Sequence, residues 1–436
     1  MKNKIERRAA WAALACAALL LSACGGGGDG SAGNANVRLV NATSTHASLD
    51  LLANGASAVS ATAADTVSAY AGVPAGSPTL QVNDSATGTA LGTIAPSVGQ
   101  DGHYALVAYD SGSNLRTTVV AEDVAAPAAG TALLRVIDGA TDAGAIDVYV
   151  TDPATDISTL ASPSFTFPAS SSLQTSAFLS FIPGTYRVRV TGSGNPADLR
   201  LDVANFVLAS QEVGTLVLTP SVGGTLVNGG LLAEQAGYTA GRNPNARVRL
   251  AATMTGAAVV TASAASAPIA TNVGSPSLTG YAIVPAAAAL NISVNGASVG
   301  APAATLVAGS DNTLLVYGTA AAPTATLIAD DNHLPASASN LKLRLLNGLT
   351  VGAQPLSLDA AFAVLASNVA PGTASPYSVI ASSTALQLDV FGSNSLTPVW
   401  SSSSLSAPLS VPGNAVYTLF IFGDAAHATG LLRRDR

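Results

Sequence analysis

The 436-residue chain has two cysteines, Cys16 and Cys24, both within its first 24 residues. Everything beyond Cys24 has no thiol for a disulfide, a metal thiolate or a nucleophile, so its domains must hold together by core burial alone. Charge is scarce as well, at 10% of residues against about 25% in ordinary soluble domains. Lysine is confined to Lys2, Lys4 and Lys342, and Ser, Thr, Asn and Gly must supply most of the polar surface. The formal net charge of −7 repels phosphate and disfavours nucleic-acid partners. Four histidines (His46, His103, His333, His427) show no His-x-x-x-His spacing, so no preformed zinc site is expected. A Gly-x-Ser-x-Gly elbow, a phosphate loop, a dinucleotide fingerprint and an EF-hand loop are all missing. Aromatics, at 5%, are too few for the girdles of a membrane barrel. The expectation is a protein that is not an enzyme and uses no cofactor or metal.

What is present begins with a leader. Met1 to Arg8 carries Lys2, Lys4, Arg7 and Arg8, and residues 9–21 form an apolar run of 13. That run is shorter than the roughly 20 residues a spanning helix needs, and with its basic flank it reads as a secretory signal. Leu21-Ser22-Ala23-Cys24 resembles the lipobox of bacterial lipoproteins. The resemblance implies cleavage before Cys24, a lipid on its sulfur with further acylation such as palmitate, and membrane attachment through that lipid. Gly25, where an aspartate would favour inner-membrane retention, implies the outer membrane of a Gram-negative envelope. Losing residues 1–23 takes the formal net charge to −10. Residues 24–36 are Gly-rich and read as a flexible tether.

Beyond the tether the chain repeats. Four segments open alike, around Arg38, Arg135, Arg249 and Arg344, at separations of 97, 114 and 95 residues. Each arginine lies between apolar residues, the period-2 pattern of a half-buried strand. An aromatic recurs mid-repeat (Tyr70, Phe178, Tyr281, Tyr377), and a nearly continuous apolar strand follows at 104–109, 215–218, 313–317 and 415–422. Repeats of about a hundred residues with turn signals every 8–12 residues predict an all-β chain of tandem Ig-like antiparallel β-sandwiches. We expect them at 37–126, 131–238, 246–335 and 341–436, with linkers near 125–130, 237–244 and 335–340.

The second repeat carries Leu134-Arg-Val-Ile-Asp138, then Ile146-Asp-Val-Tyr-Val150, then Phe181-Ile-Pro-Gly-Thr-Tyr-Arg-Val188. It resembles the bacterial domain of unknown function 4397, with its "VRVVHASP", "VDVYVDG" and "LPAGTY" strands, most clearly over residues 134–190. The resemblance implies an exported or surface protein with tandem sandwiches and no assigned catalytic residue. The family's histidine after the opening strand is replaced here by Asn41, Asp138, Ala252 and Asn347.

Two readings attach to the recurring arginines. Arg38, Arg135, Arg249 and Arg344 are either a repeated contact for an acidic glycan or protein partner, or the outward face of a strand, blunting edge pairing. Asp138, Asp142 and Asp147 either bind calcium or initiate turns, the commoner use. The recurring aromatics read as core or corner residues. Together these predict a lipid-anchored, non-enzymatic envelope protein for adhesion or surface assembly, the alternative being a carbohydrate- or polymer-binding lipoprotein of the outer membrane.

Overall fold

The computed structural model describes residues 33–436 except 44, 112, 113, 171, 351 and 394; the leader and Cys24 lie outside the described residues. The described residues are all-β, with three single-turn 3-10 segments among their strands. No helix among the described residues is long and apolar enough to cross a membrane.

Each repeat builds two sheets. In the first repeat the opening strand Asn34–Asn41 sits between two short strands on one side and His103–Ser111 on the other. His103–Ser111 then hairpins into Asn114–Ala121. The second sheet orders Ala56–Ala63, Ser48–Ala53, Leu80–Asp84 and Ala90–Ile94. The other three repeats share this plan, the second with one more strand on its first sheet and the fourth with a further two-stranded sheet of Ser383–Leu386 and Leu409–Val411. One refinement of the antiparallel expectation recurs: opening and penultimate strands pair in parallel, in register Arg38↔Ala105, Arg135↔Thr215, Arg249↔Thr313 and Arg344↔Thr418. The chain crosses to the second sheet and back between these two strands, the long connection that a parallel pair requires.

Pleat alternation sorts the side chains. Val37 and Leu39 enter the core between the two sheets of the first repeat, as do Leu134 and Val136, Val248 and Leu250, and Leu343 and Leu345. Residues on the opposite face enter two further clusters. Val40, Val107 and Tyr109 of the first repeat pack with Ile137, Val217 and Leu232 of the second. Ala251 and Leu315 of the third pack with Leu346, Phe420 and Phe422 of the fourth. The sandwiches thus stand face to face in two pairs. The continuous apolar runs of the penultimate strands follow directly, because both faces of those strands are buried.

The stretch expected as a linker at 237–244 departs from that reading. Tyr238–Gly241 forms a strand on Val227–Ala233, and Arg242 reaches back to the Asp65 carboxylate of the first repeat at 2.7 Å. A junction also joins the two pairs: the buried loop after Val213–Pro220 lies against residues 309 and 332–333, with Gly223 and Gly309 bonded at 2.9 Å and Asn332 N donating to Gly223 O at 3.0 Å. Gly224 (φ +86°) is needed there, since a Cβ would meet the His333 amide at 2.5 Å.

Candidate functional site

The arginine at the centre of each opening strand lies on the face that meets a sister repeat. Arg38, Arg249 and Arg344 are 2%, 1% and 2% exposed, so the sequence expectation of an outward face is corrected: the face is covered by another sandwich, not by water. Burial of a guanidinium demands that its donors be met, and the partners come from three recurring positions. The mid-repeat aromatic lies under each cation, with Arg38 5.1 Å from the Tyr70 centroid, Arg135 4.7 Å from Phe178, Arg249 4.7 Å from Tyr281 and Arg344 4.5 Å from Tyr377. A cross-strand threonine accepts from Nε in three repeats, Thr215 at 3.0 Å, Thr313 at 2.9 Å and Thr418 at 3.0 Å. An acid stands at the equivalent place in each repeat, Glu122, Glu234, Asp330 and Asp435, and all but Glu234 bond an arginine.

Sequence reasoning missed these acids, although a signal was there. Val120-Ala121-Glu122, Leu232-Ala233-Glu234 and Ile328-Ala329-Asp330 close three repeats with the same ending, and Asp435 stands in the fourth. The aromatics are also placed differently from expectation. They join none of the four sandwich cores; each is half-buried, with one ring face against its arginine.

The third and fourth repeats exchange their ions. Arg249 donates to Asp435 of the fourth repeat, and Arg344 donates to Asp330 of the third and to Ala329 O at 2.9 Å. Asp330 also accepts from the Tyr281 hydroxyl at 2.6 Å and from Thr313 at 2.8 Å. Burial pushes the Asp330 carboxyl upward, but Arg344, Arg249 and these hydrogen bonds outweigh it and hold the pKa below the usual carboxylate range. The first and second repeats do not exchange. Arg38 Nε donates at 2.8 Å to Glu122 of its own repeat, Tyr70 donates to the same carboxylate at 2.7 Å, and Arg38 spends its remaining donors on the carbonyls of Ala233 and Ala236. Arg135 donates to Thr215 and to the carbonyl of Ala121 at 3.2 Å, and burial lowers its pKa. Glu234 accepts from Val124 N at 3.1 Å while its Oε1 has no hydrogen bond. Burial pushes its carboxyl up to about 7.

The remaining candidates resolve locally. Asp147 accepts from Thr166, Ser193 and Gly194 N, and Asp138 caps Ala140 N at 3.0 Å, so both carboxylates serve turns. No group of three or more metal-binding side chains occurs among the described residues. Asn41 and Asn347, at the family's histidine position, likewise cap backbone two residues on, at Thr43 and Leu349. Every histidine places Nδ1 on an aspartate: His46 on Asp84, His103 on Asp123, His333 on Asp331 and His427 on Asp424.

Residues 35–149 match the family described as Domain of unknown function (DUF4397). The DUF4397 match spans the first sandwich and the first two main strands of the second, so it overlaps the stretch of clearest resemblance only over 134–149. A solved chain from Bacteroides uniformis ATCC 8492, provisionally described as a cell adhesion protein, matches at 12% identity and a TM-score of 0.22, covering 46% of this chain and 98% of its own. No curated protein matches.

Proposed function

We propose that this chain is a non-enzymatic, lipid-anchored envelope protein that holds two sandwich pairs away from a membrane for adhesion or surface assembly. The observation that carries the reading is the fate of the recurring polar set. Its arginines, aromatics and acids are engaged with one another within and between neighbouring repeats, which supports a multi-domain body rather than four copies of a reactive centre. The lipobox-like segment before Cys24 and the Gly-rich tether support attachment at one end, and Gly25 supports the outer membrane. A carbohydrate-binding role through the recurring aromatics is less well supported, because one ring face of each is covered by its arginine. Fractionation of cells expressing Cys24→Ser tests the anchor: the variant should leave the membrane fraction with its sandwiches folded. Whole-cell adhesion and glycan-array assays on that released form test the rest. Reproducible catalytic turnover, or a variant that stays membrane-bound, would overturn the proposal.

A further inference from the structure

We propose that the cleft where the second, third and fourth repeats meet binds a small oxyanion, a carboxylate or phosphate group. The cleft encloses about 380 Å³, within the range of small-ligand sites. Three guanidinium side chains line it, Arg200 from the second repeat, Arg247 from the third and Arg436 from the fourth, in a chain with only 18 Lys and Arg among 436 residues.

Arg247 is the informative one. It sits two residues before Arg249 on the same strand face, but at the rim rather than inside the interface. Its guanidinium lies 4.3 Å from the Tyr281 ring centroid, and its side chain is 13% exposed. Its polar partner among the described residues is Asp311 Oδ1 at 3.5 Å, and that oxygen makes no hydrogen bond. Arg247 is only half-buried, and with no acceptor among the described residues nearer than 3.5 Å its guanidinium keeps donors open to the cleft. A bidentate carboxylate or phosphate supplies what is missing.

The two carboxylates on the wall do not block such a ligand. Asp198 is held by Arg200 at 2.6 and 3.2 Å, and Asp435 is taken by Arg249 and Thr418. Arg436 closes the far side, donating to Gly224 O and lying 3.3 Å from the Thr225 hydroxyl. None of this depends on the lipid anchor or on adhesion, so the site stands or falls separately from the proposed function.

Calorimetric titration of the full chain with glucuronate and with inorganic phosphate, at low and raised salt, tests the site. One saturable site per chain is expected for at least one probe, weakening as salt rises; which probe binds identifies the source of the oxyanion. Arg247→Gln should weaken binding by about tenfold or more. Because Arg247 touches buried groups, Ala197→Glu is the second variant: it places a negative charge on an exposed residue of the rim without disturbing the core, and should weaken binding similarly. Arg116→Gln, on the exposed face of the first repeat, should bind as the parent does. Absence of saturable binding with both probes, or unchanged binding in Ala197→Glu, overturns the proposal.

Discussion

The two sandwich pairs use the same four positions and reach different electrostatic solutions. In the third and fourth repeats the ion pairs cross the interface reciprocally, and Asp330 receives two arginines, a tyrosine and a threonine. In the first and second repeats Arg38 keeps its own Glu122, Phe178 brings no hydroxyl, and Glu234 is left with an unmet oxygen. Apolar contact differs in step, with Phe420 and Phe422 filling one interface where Val217 serves the other. The comparison shows that face-to-face pairing rests first on apolar burial, and that the buried ions can be rearranged around it. A buried pair adds little net stability over an apolar substitute, yet breaking one side of it is costly.

That contrast can be broken most forcefully at the exchanged ions. Arg344→Ala leaves Asp330 buried with part of its hydrogen bonding gone and should cost about 3–5 kcal/mol in chemical denaturation. Arg135→Met, at the equivalent place in the second repeat, should cost far less, because no carboxylate is hydrogen-bonded to Arg135. Equal losses would mean that the two interfaces are energetically alike. At the apolar level, Phe420→Ala should cost about 3–5 kcal/mol. Val217→Ala should cost about 1.5–2 kcal/mol, from two methyl-sized groups. A pair of similar values would contradict the packing difference.

The pH response should separate the pairs by sign. Glu234 has its folded pKa raised to about 7, so the folded state holds the proton more tightly than the unfolded chain. Its contribution is therefore present at acid pH and lost as pH rises from the ordinary carboxylate range through about 7. Asp330 is depressed, so its contribution is present above the ordinary range and lost as pH falls through it. Thermal melts across pH should show Glu234→Gln flattening the neutral-side decline and leaving the acid-side one intact. The smallest expected change sharpens the comparison from the other direction. Phe178→Tyr restores the hydroxyl that Tyr70 and Tyr281 direct at their acids, and should stabilise by about 1 kcal/mol while lowering the Glu234 pKa. Titration of Glu234 by NMR in both forms checks it.

Much of the fold was legible because a strand writes its burial into every second residue. Val37, Leu39 and their counterparts marked one inward face, and Pro-Gly turns marked the ends. The recurring arginine and aromatic were visible too, but as separate features. Their relation was hidden because the aromatic lies some 30 to 45 residues along the chain and the acid some 80 to 100, distances across which no local pattern operates. The continuous apolar penultimate strands, such as Ala415 to Phe422, held the missing clue: a strand apolar on both faces has two partners, and a lone sandwich offers one.

The sequence by itself determined an all-β chain of four similar units, a thiol-free body beyond Cys24, and a polar, weakly charged surface. Periodicity, turn chemistry and composition are local properties, and each unit displays them without reference to its neighbours. Only the tertiary structure decided that the units pair face to face, that Arg249 and Arg344 exchange acids while Arg38 does not, and that Arg247 lies in a cleft formed by three repeats. Those outcomes depend on which distant side chain reaches a buried charge first, and in a low-dielectric interior that choice is made by geometry at the scale of a single hydrogen bond.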